Sequence, residues 1–187
     1  AYITFDVVDA AHAAGIVMIA PVGSNYASKT NINQEIVSSA ANFPSSLSKV
    51  LGAAEIYAGG GVWKDRPDYF VRIWDIWLFY TYRFYHARDG GVDVVAPGGN
   101  WNVVVGDEGT VVSTSGINST ANSIGTMVAT AFIGGVAALI ISGDWASGAG
   151  VNQRLMDTAT ALSSSGLNTA DNQKVYGAGL VNAVVAA

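Results

Sequence analysis

The chain has 187 residues, half of them apolar and only 12 % charged, which suits one domain with a large buried core and excludes intrinsic disorder. A net charge of −5 with no Lys/Arg cluster makes nucleic acid a poor partner. The absence of cysteine excludes disulfides, thiolate metal sites and a cysteine nucleophile.

Residues 3–14 are predicted to be helical, with Ile3, Val7, Ala10, Ala11 and Ala14 on one face and Gly15 at the C-terminal cap. The apolar run Ile16–Ala20 then predicts a buried parallel strand, ended by Pro21-Val22-Gly23-Ser24-Asn25. Phe43-Pro44 and Val50–Ala54 form the next loop and strand. Gly91–Gly98 reads as another strand, stopped by Pro97-Gly98. Val111–Ser115 is expected as a short edge strand, 126–142 as an apolar helix and 150–162 as a last helix. Tyr176–Ala183 closes the chain. Helices alternating with buried strands predict an α/β fold. No repeat or linker interrupts 1–187, so one domain is expected. The first residues lack the basic start of a signal peptide, and no uncharged apolar stretch reaches about 18 residues, so no membrane span is expected. Asn118-Ser119-Thr120 is a glycosylation sequon, a triplet that arises often by chance.

The run Gly125-Thr126-Met127-Val128-Ala129-Thr130-Ala131-Phe132-Ile133-Gly134-Gly135 carries the most information. It resembles the nucleophile helix of the subtilisin-like serine peptidases (subtilases), whose pattern is Gly-Thr-Ser-Met-Ala-Thr-Pro-His-Val-Ala-Gly. Four further blocks resemble that family in the right order, one of them Asn42-Phe43-Pro44-Ser45 with Val50-Leu51-Gly52-Ala53, which resembles its Tyr-Pro-Ala and Val-Gly-Ala segments. Ala13–Asn25 resembles the strand leading to its Ala-Ala-Gly-Asn loop. Val92-Asp93-Val94-Val95-Ala96-Pro97-Gly98 resembles Val-Asp-Val-x-Ala-Pro-Gly. Tyr176–Ala183 resembles the closing Tyr-Gly-x-Gly-x-Val-Asn-Ala. The resemblance spans nearly the whole chain. It implies a mostly parallel sheet flanked by helices on both faces, of which this chain supplies the C-terminal half.

It also implies site roles. The nucleophilic serine falls on Met127, within a frame made by Gly125 and Thr126. The family's oxyanion asparagine follows Ala-Gly, so either Ser24 takes that slot behind Gly23, or the loop is one residue longer and Asn25 fills it. Asn25 is preferred because it keeps the amide donor. Losing such a donor costs about 10²–10³ in rate, in an example that is itself a subtilisin. A thioether has no proton to give up and forms no acyl-enzyme. The family's Asp-x-Gly and His-Gly-Thr motifs, which carry the other triad members, have no counterpart here. His12 and His86 lack the following Gly-Thr and read as structural histidines. Asp107-Glu108-Gly109-Thr110 resembles Asp-x-Gly but falls after the Ala-Pro-Gly block, so it reads as an acidic loop.

Residues 63–86 depart from the family as an aromatic-rich insertion, with about forty residues between Gly52 and Val94. Alternation assigns Tyr69, Trp77, Phe79 and Tyr85 to one face and Phe70, Trp74, Tyr80, Tyr82 and Phe84 to the other. A strand or hairpin covered on both sides suits that pattern. Its role is either an interface, since aromatics and arginine dominate hot spots, or a core extension.

Two function classes follow. One is a component of a subtilisin-like endopeptidase, hydrolysing peptide bonds through an acyl-enzyme, with this chain alone inactive. The other is a catalytically inactive subtilase-like module with a binding or structural role. Half a sheet leaves an open edge and an uncovered apolar face. The expected partner is therefore the N-terminal half of the same precursor or an oligomeric assembly, with a peptide or protein substrate if active. No cofactor or metal site is identified. Calcium is implied by resemblance alone, and no acidic cluster has calcium-loop spacing. An extracellular or cell-surface location is likewise implied only by resemblance.

Overall fold

The structure is a computed structural model. It describes residues 2–28, 43–56, 63–65, 69–73, 76–80, 82–86, 91–99, 111–114, 119–123, 125–163 and 169–186. Its centre is a parallel three-stranded sheet of β1 (Ile19–Pro21), β3 (Leu51–Ile56) and β8 (Val94–Pro97), with β3 in the middle. Ile19 pairs with Leu51, and Ala53 with Val94. Small side chains dominate β3, so helices approach both of its faces closely.

Alternation along the strands builds two cores. Leu51, Ala53, Val94 and Ala96 face α2 (Thr126–Ser142), which packs on them through Ala129, Ile133, Val136, Ala137 and Ile140. Ala54, Ile56 and Val95 face the other way, toward Val175 and Tyr176 of α4 (Thr169–Tyr176). α3 (Ala149–Asp157) adds Val151 and Leu155 to the first core. The short α5 (Ala183–Ala186) is tied there by Arg154, whose Nε donates to Ala186 O at 2.5 Å.

Two of the sequence blocks meet at the edge of this sheet. Val95 N–H donates to Gly179 O and Val181 N–H donates to Val95 O, both at 2.9 Å. Asp93 locks the neighbouring register: its N–H donates to Gly52 O at 2.9 Å and its Oδ2 accepts from Gly52 N–H at 2.7 Å. Burial pushes the Asp93 carboxyl above the ordinary carboxylate value, and the Gly52 N–H partly opposes that rise.

α1 (Tyr2–Ala13) forms where its apolar periodicity placed it, and Gly15 ends it at φ +78. It is tethered by a Phe5–Phe43 edge contact at 6.2 Å and by Lys49 Nζ to Asp9 at 2.8 Å. The strand expected over 16–20 is shorter. Ile16 N–H still donates to Ala11 O, and the side chain is 57 % exposed, so the run's first residues belong to the helix turn. The helix expected over 150–162 ends at Asp157, with Thr158 as its cap. The edge strand expected over 111–115 is β9 (Val111–Thr114), paired antiparallel with β10 (Thr120–Ser123).

The described strands within 63–86 pair antiparallel. β5 (Tyr69–Ile73) and β6 (Ile76–Tyr80) form a hairpin, while β7 (Tyr82–His86) lies between β2 (Ser24–Ser28) and β4 (Trp63–Asp65). The face assignment needs correction. Tyr69 pairs with Tyr80 and Phe70 with Phe79. Directly opposed residues share a face, so the turn reverses the alternation that was carried through it. Trp74, the Asp107–Thr110 loop and Asn118 lie outside the described residues.

Candidate active site

The start of α2 is fixed by two glycines. Gly125 has φ +112, a conformation that residues with a Cβ rarely adopt. Its N–H donates to Gly98 O at 2.8 Å, and its carbonyl accepts from Val128 and Ala129 N–H at 3.0 and 3.3 Å. Gly98, just beyond β8, donates to Ile56 O at 2.9 Å. A β-carbon on Gly98 would overlap Glu55 Cβ and stand 2.8 Å from Glu55 Oε2. One on Gly125 would stand 3.9 Å from the same oxygen. The two glycines therefore let the helix start close onto the ends of β3 and β8.

Glu55 is the functional-type residue that the motif reading passed over. It is the only charged residue in Leu51–Ile56 and only 9 % exposed. Alternation from Leu51 and Ala53 puts it on the face under α2. Its carboxyl group therefore lies beside the start of α2. The sequence shows only a lone acid inside an apolar strand; its place beside the Ala-Pro-Gly block appears only in the fold.

Thr126 is buried, and its carbonyl accepts from Thr130 Oγ1 at 2.8 Å. Met127, the next residue, is 73 % exposed. It projects from the first turn of α2, above the C-terminal ends of the parallel strands. In α/β sheets ligands sit outside those strand ends. A thioether there offers van der Waals contact and a weak acceptor, but no nucleophile or transferable proton.

The oxyanion candidates are placed less fully. Gly23 turns the chain out of β1 at φ +89. Ser24 and Asn25 follow in β2, opposite His86 and Tyr85. Their side chains lie outside the described residues, as does that of His86. His12 is half-buried in α1. No group of three or more His, Cys, Asp or Glu able to hold a metal occurs among the described residues.

A sequence model described as the Subtilase family (Peptidase_S8) matches residues 80–179. The chain belongs to the subtilase family. No curated protein matches the sequence. Among solved structures, the prenylagaramide maturation protease PagA aligns at TM-score 0.63 and 18 % identity, over 97 % of this chain and 52 % of that one. The PatG macrocyclase domain gives 0.63 at 13 % identity, over 100 % and 46 %. Fervidolysin from Fervidobacterium pennivorans, a keratinolytic enzyme related to subtilisin, gives 0.53 at 18 % identity, over 95 % and 23 %. The fold is thus the α/β subtilisin-like one, and this subtilase chain spans about half the length of the PagA and PatG chains. Its part is the C-terminal one: the blocks that resemble the family follow its order from the Ala-Ala-Gly-Asn loop to the closing Tyr-Gly-x-Gly.

Proposed function

We propose that this chain is the C-terminal part of a subtilisin-like endopeptidase domain and that, as written, it does not itself hydrolyse peptides. The observation that carries this reading is Met127. It is exposed on the first turn of α2, two residues after Gly125 at φ +112. The frame for acyl transfer is kept while its reacting atom is replaced. Activity would need a serine at 127, a histidine and an aspartate from an N-terminal part, and an amide donor from Asn25 or Ser24. A peptide is the proposed substrate, by analogy with maturation proteases such as PagA. Residues 1–187 act as one domain part, with the 63–86 ribbons as an insertion.

The second reading is a non-catalytic subtilase-like module that binds or braces an assembly. It is favoured by the Met127 thioether, which offers no nucleophile and no transferable proton. A fluorophosphonate probe separates active from silent forms. The chain is expected to remain unlabelled, and stoichiometric labelling within 125–130 would refute the silent assignment. Met127→Ser, assembled with an N-terminal subtilase part, is expected to gain cleavage of an unfolded protein substrate. In subtilisin, a relative, loss of the nucleophile alone costs about 10⁶ in kcat. An assembled serine variant that stays inert favours the module.

A further inference from the structure

We infer that the insertion builds a subsite for an aromatic peptide side chain beside Asn25, from Tyr85 of β7 and Trp63 of β4. The proposal rests on the reading above, in which Asn25 supplies the oxyanion donor, and it names the substrate class of that same site. β2 begins one residue after the Gly23 turn, β7 lies directly beside it, and β4 lies beyond β7. Asn25 is opposite Tyr85, and Tyr85 is opposite Trp63. Directly opposed residues of antiparallel strands share a face. Whichever face Asn25 presents to a reacting carbonyl, Tyr85 and Trp63 therefore stand on that face. Strand spacing puts their backbones about 5 and 10 Å from that of Asn25 across the sheet. A peptide rises about 3.3 Å per residue, so the row spans the side chain next to the scissile carbonyl.

Charge on that face narrows the class. The next row on it, two residues along, is Ala27, Arg83 and Asp65. Arg83 and Asp65 are directly opposed and of opposite sign, which favours this register and leaves the two rows without net charge. The other face carries Tyr26, Phe84 and Lys64 in one row, so that cation stands away from Asn25. An uncharged row of Tyr and Trp suits a flat ring, which gains stacking that an aliphatic or charged side chain does not. The sequence model of the subtilase family matches residues 80–179, and Trp63 lies ahead of that stretch. The row is thus completed by this chain's own insertion.

The test uses the purified full chain and short fluorescent peptides that differ only at the central residue, which is Phe, Ala or Glu. Met127 leaves the peptides intact, so affinity is read without turnover, by fluorescence anisotropy. The Phe peptide is expected to bind about tenfold more tightly than the other two, since each aromatic pair adds a factor of about 2–10. Tyr85→Ser and Trp63→Ser are each expected to narrow that ratio to about threefold or less, and Tyr85→Phe to keep it. Phe84→Ser, one residue along on the opposite face, is expected to leave the ratio unchanged. Melting curves confirm that each variant compared is folded. Equal binding of the three peptides overturns the inference and leaves the peptide reading standing. Binding of none overturns both. A preference that survives both serine variants at 85 and 63, or that falls as far with Phe84→Ser, also overturns the inference.

Discussion

The two sides of α2 have nearly the same chemistry and opposite surroundings. Inward, Ala129, Ile133, Val136, Ala137 and Ile140 are buried against the parallel sheet. Outward, Met127 is 73 % exposed, Leu139 50 % and Phe132 45 %. Periodicity therefore does not distinguish the sides, since neither carries charge. The chain spans about half the length of the PagA and PatG chains. An apolar residue stabilises only what it packs against, so it is the inward side of α2 that holds this chain together.

Substitutions turn that contrast into numbers. Ile133→Ala removes a fully buried side chain and is expected to cost about 2–5 kcal/mol in denaturant unfolding. Phe132→Ala, one position along, is expected to cost about 0.5 kcal/mol or less in the isolated chain. Equal costs would show that the outward side is already covered. Next in size is Gly125→Ala. It forces a Cβ onto φ +112, at an expected cost of about 1–3 kcal/mol, read as a lower thermal midpoint.

Asp93 probes the sheet register through pH. Burial raises its folded carboxyl above its ordinary 3.8, so the fold favours the protonated form. Its contribution to stability is full below the unfolded value and is lost as pH rises through the folded one. Asp93→Asn keeps an acceptor for Gly52 N–H and is expected to flatten that decline, leaving stability at pH 7 equal or higher. A variant whose urea midpoint keeps the parent's pH dependence would assign the effect elsewhere. Gly135→Ala is expected to stabilise the isolated chain by about 0.5–1 kcal/mol because the site is open and helical. A destabilised variant would mean that something already packs there.

Much of this was legible in the sequence, for stated physical reasons. The helix over 126–142 was marked by Gly-Thr punctuation and an unbroken apolar run, and α2 occupies those residues. The blocks at 92–98 and 176–183 were quoted separately, and Val95 joins them through Gly179 and Val181. Three features were not legible. α4 escaped because Thr169–Tyr176 is mostly polar until its end, where Val175 and Tyr176 enter the core. The face order of 69–80 was misread because alternation does not survive a hairpin turn. Glu55 stood outside every motif, and only the closing of Gly98 and Gly125 onto it places it at the helix start.

The most direct test of the central claim is the solution size and dye binding of the purified 187-residue chain. Light scattering coupled to chromatography is expected to show a mass above 19.3 kDa, with binding of a hydrophobic dye, both reduced by the paired outward substitutions Ala138→Glu and Leu139→Lys. A monodisperse 19.3 kDa species that binds no dye and melts in one sharp transition would show that α2 has no face awaiting a partner.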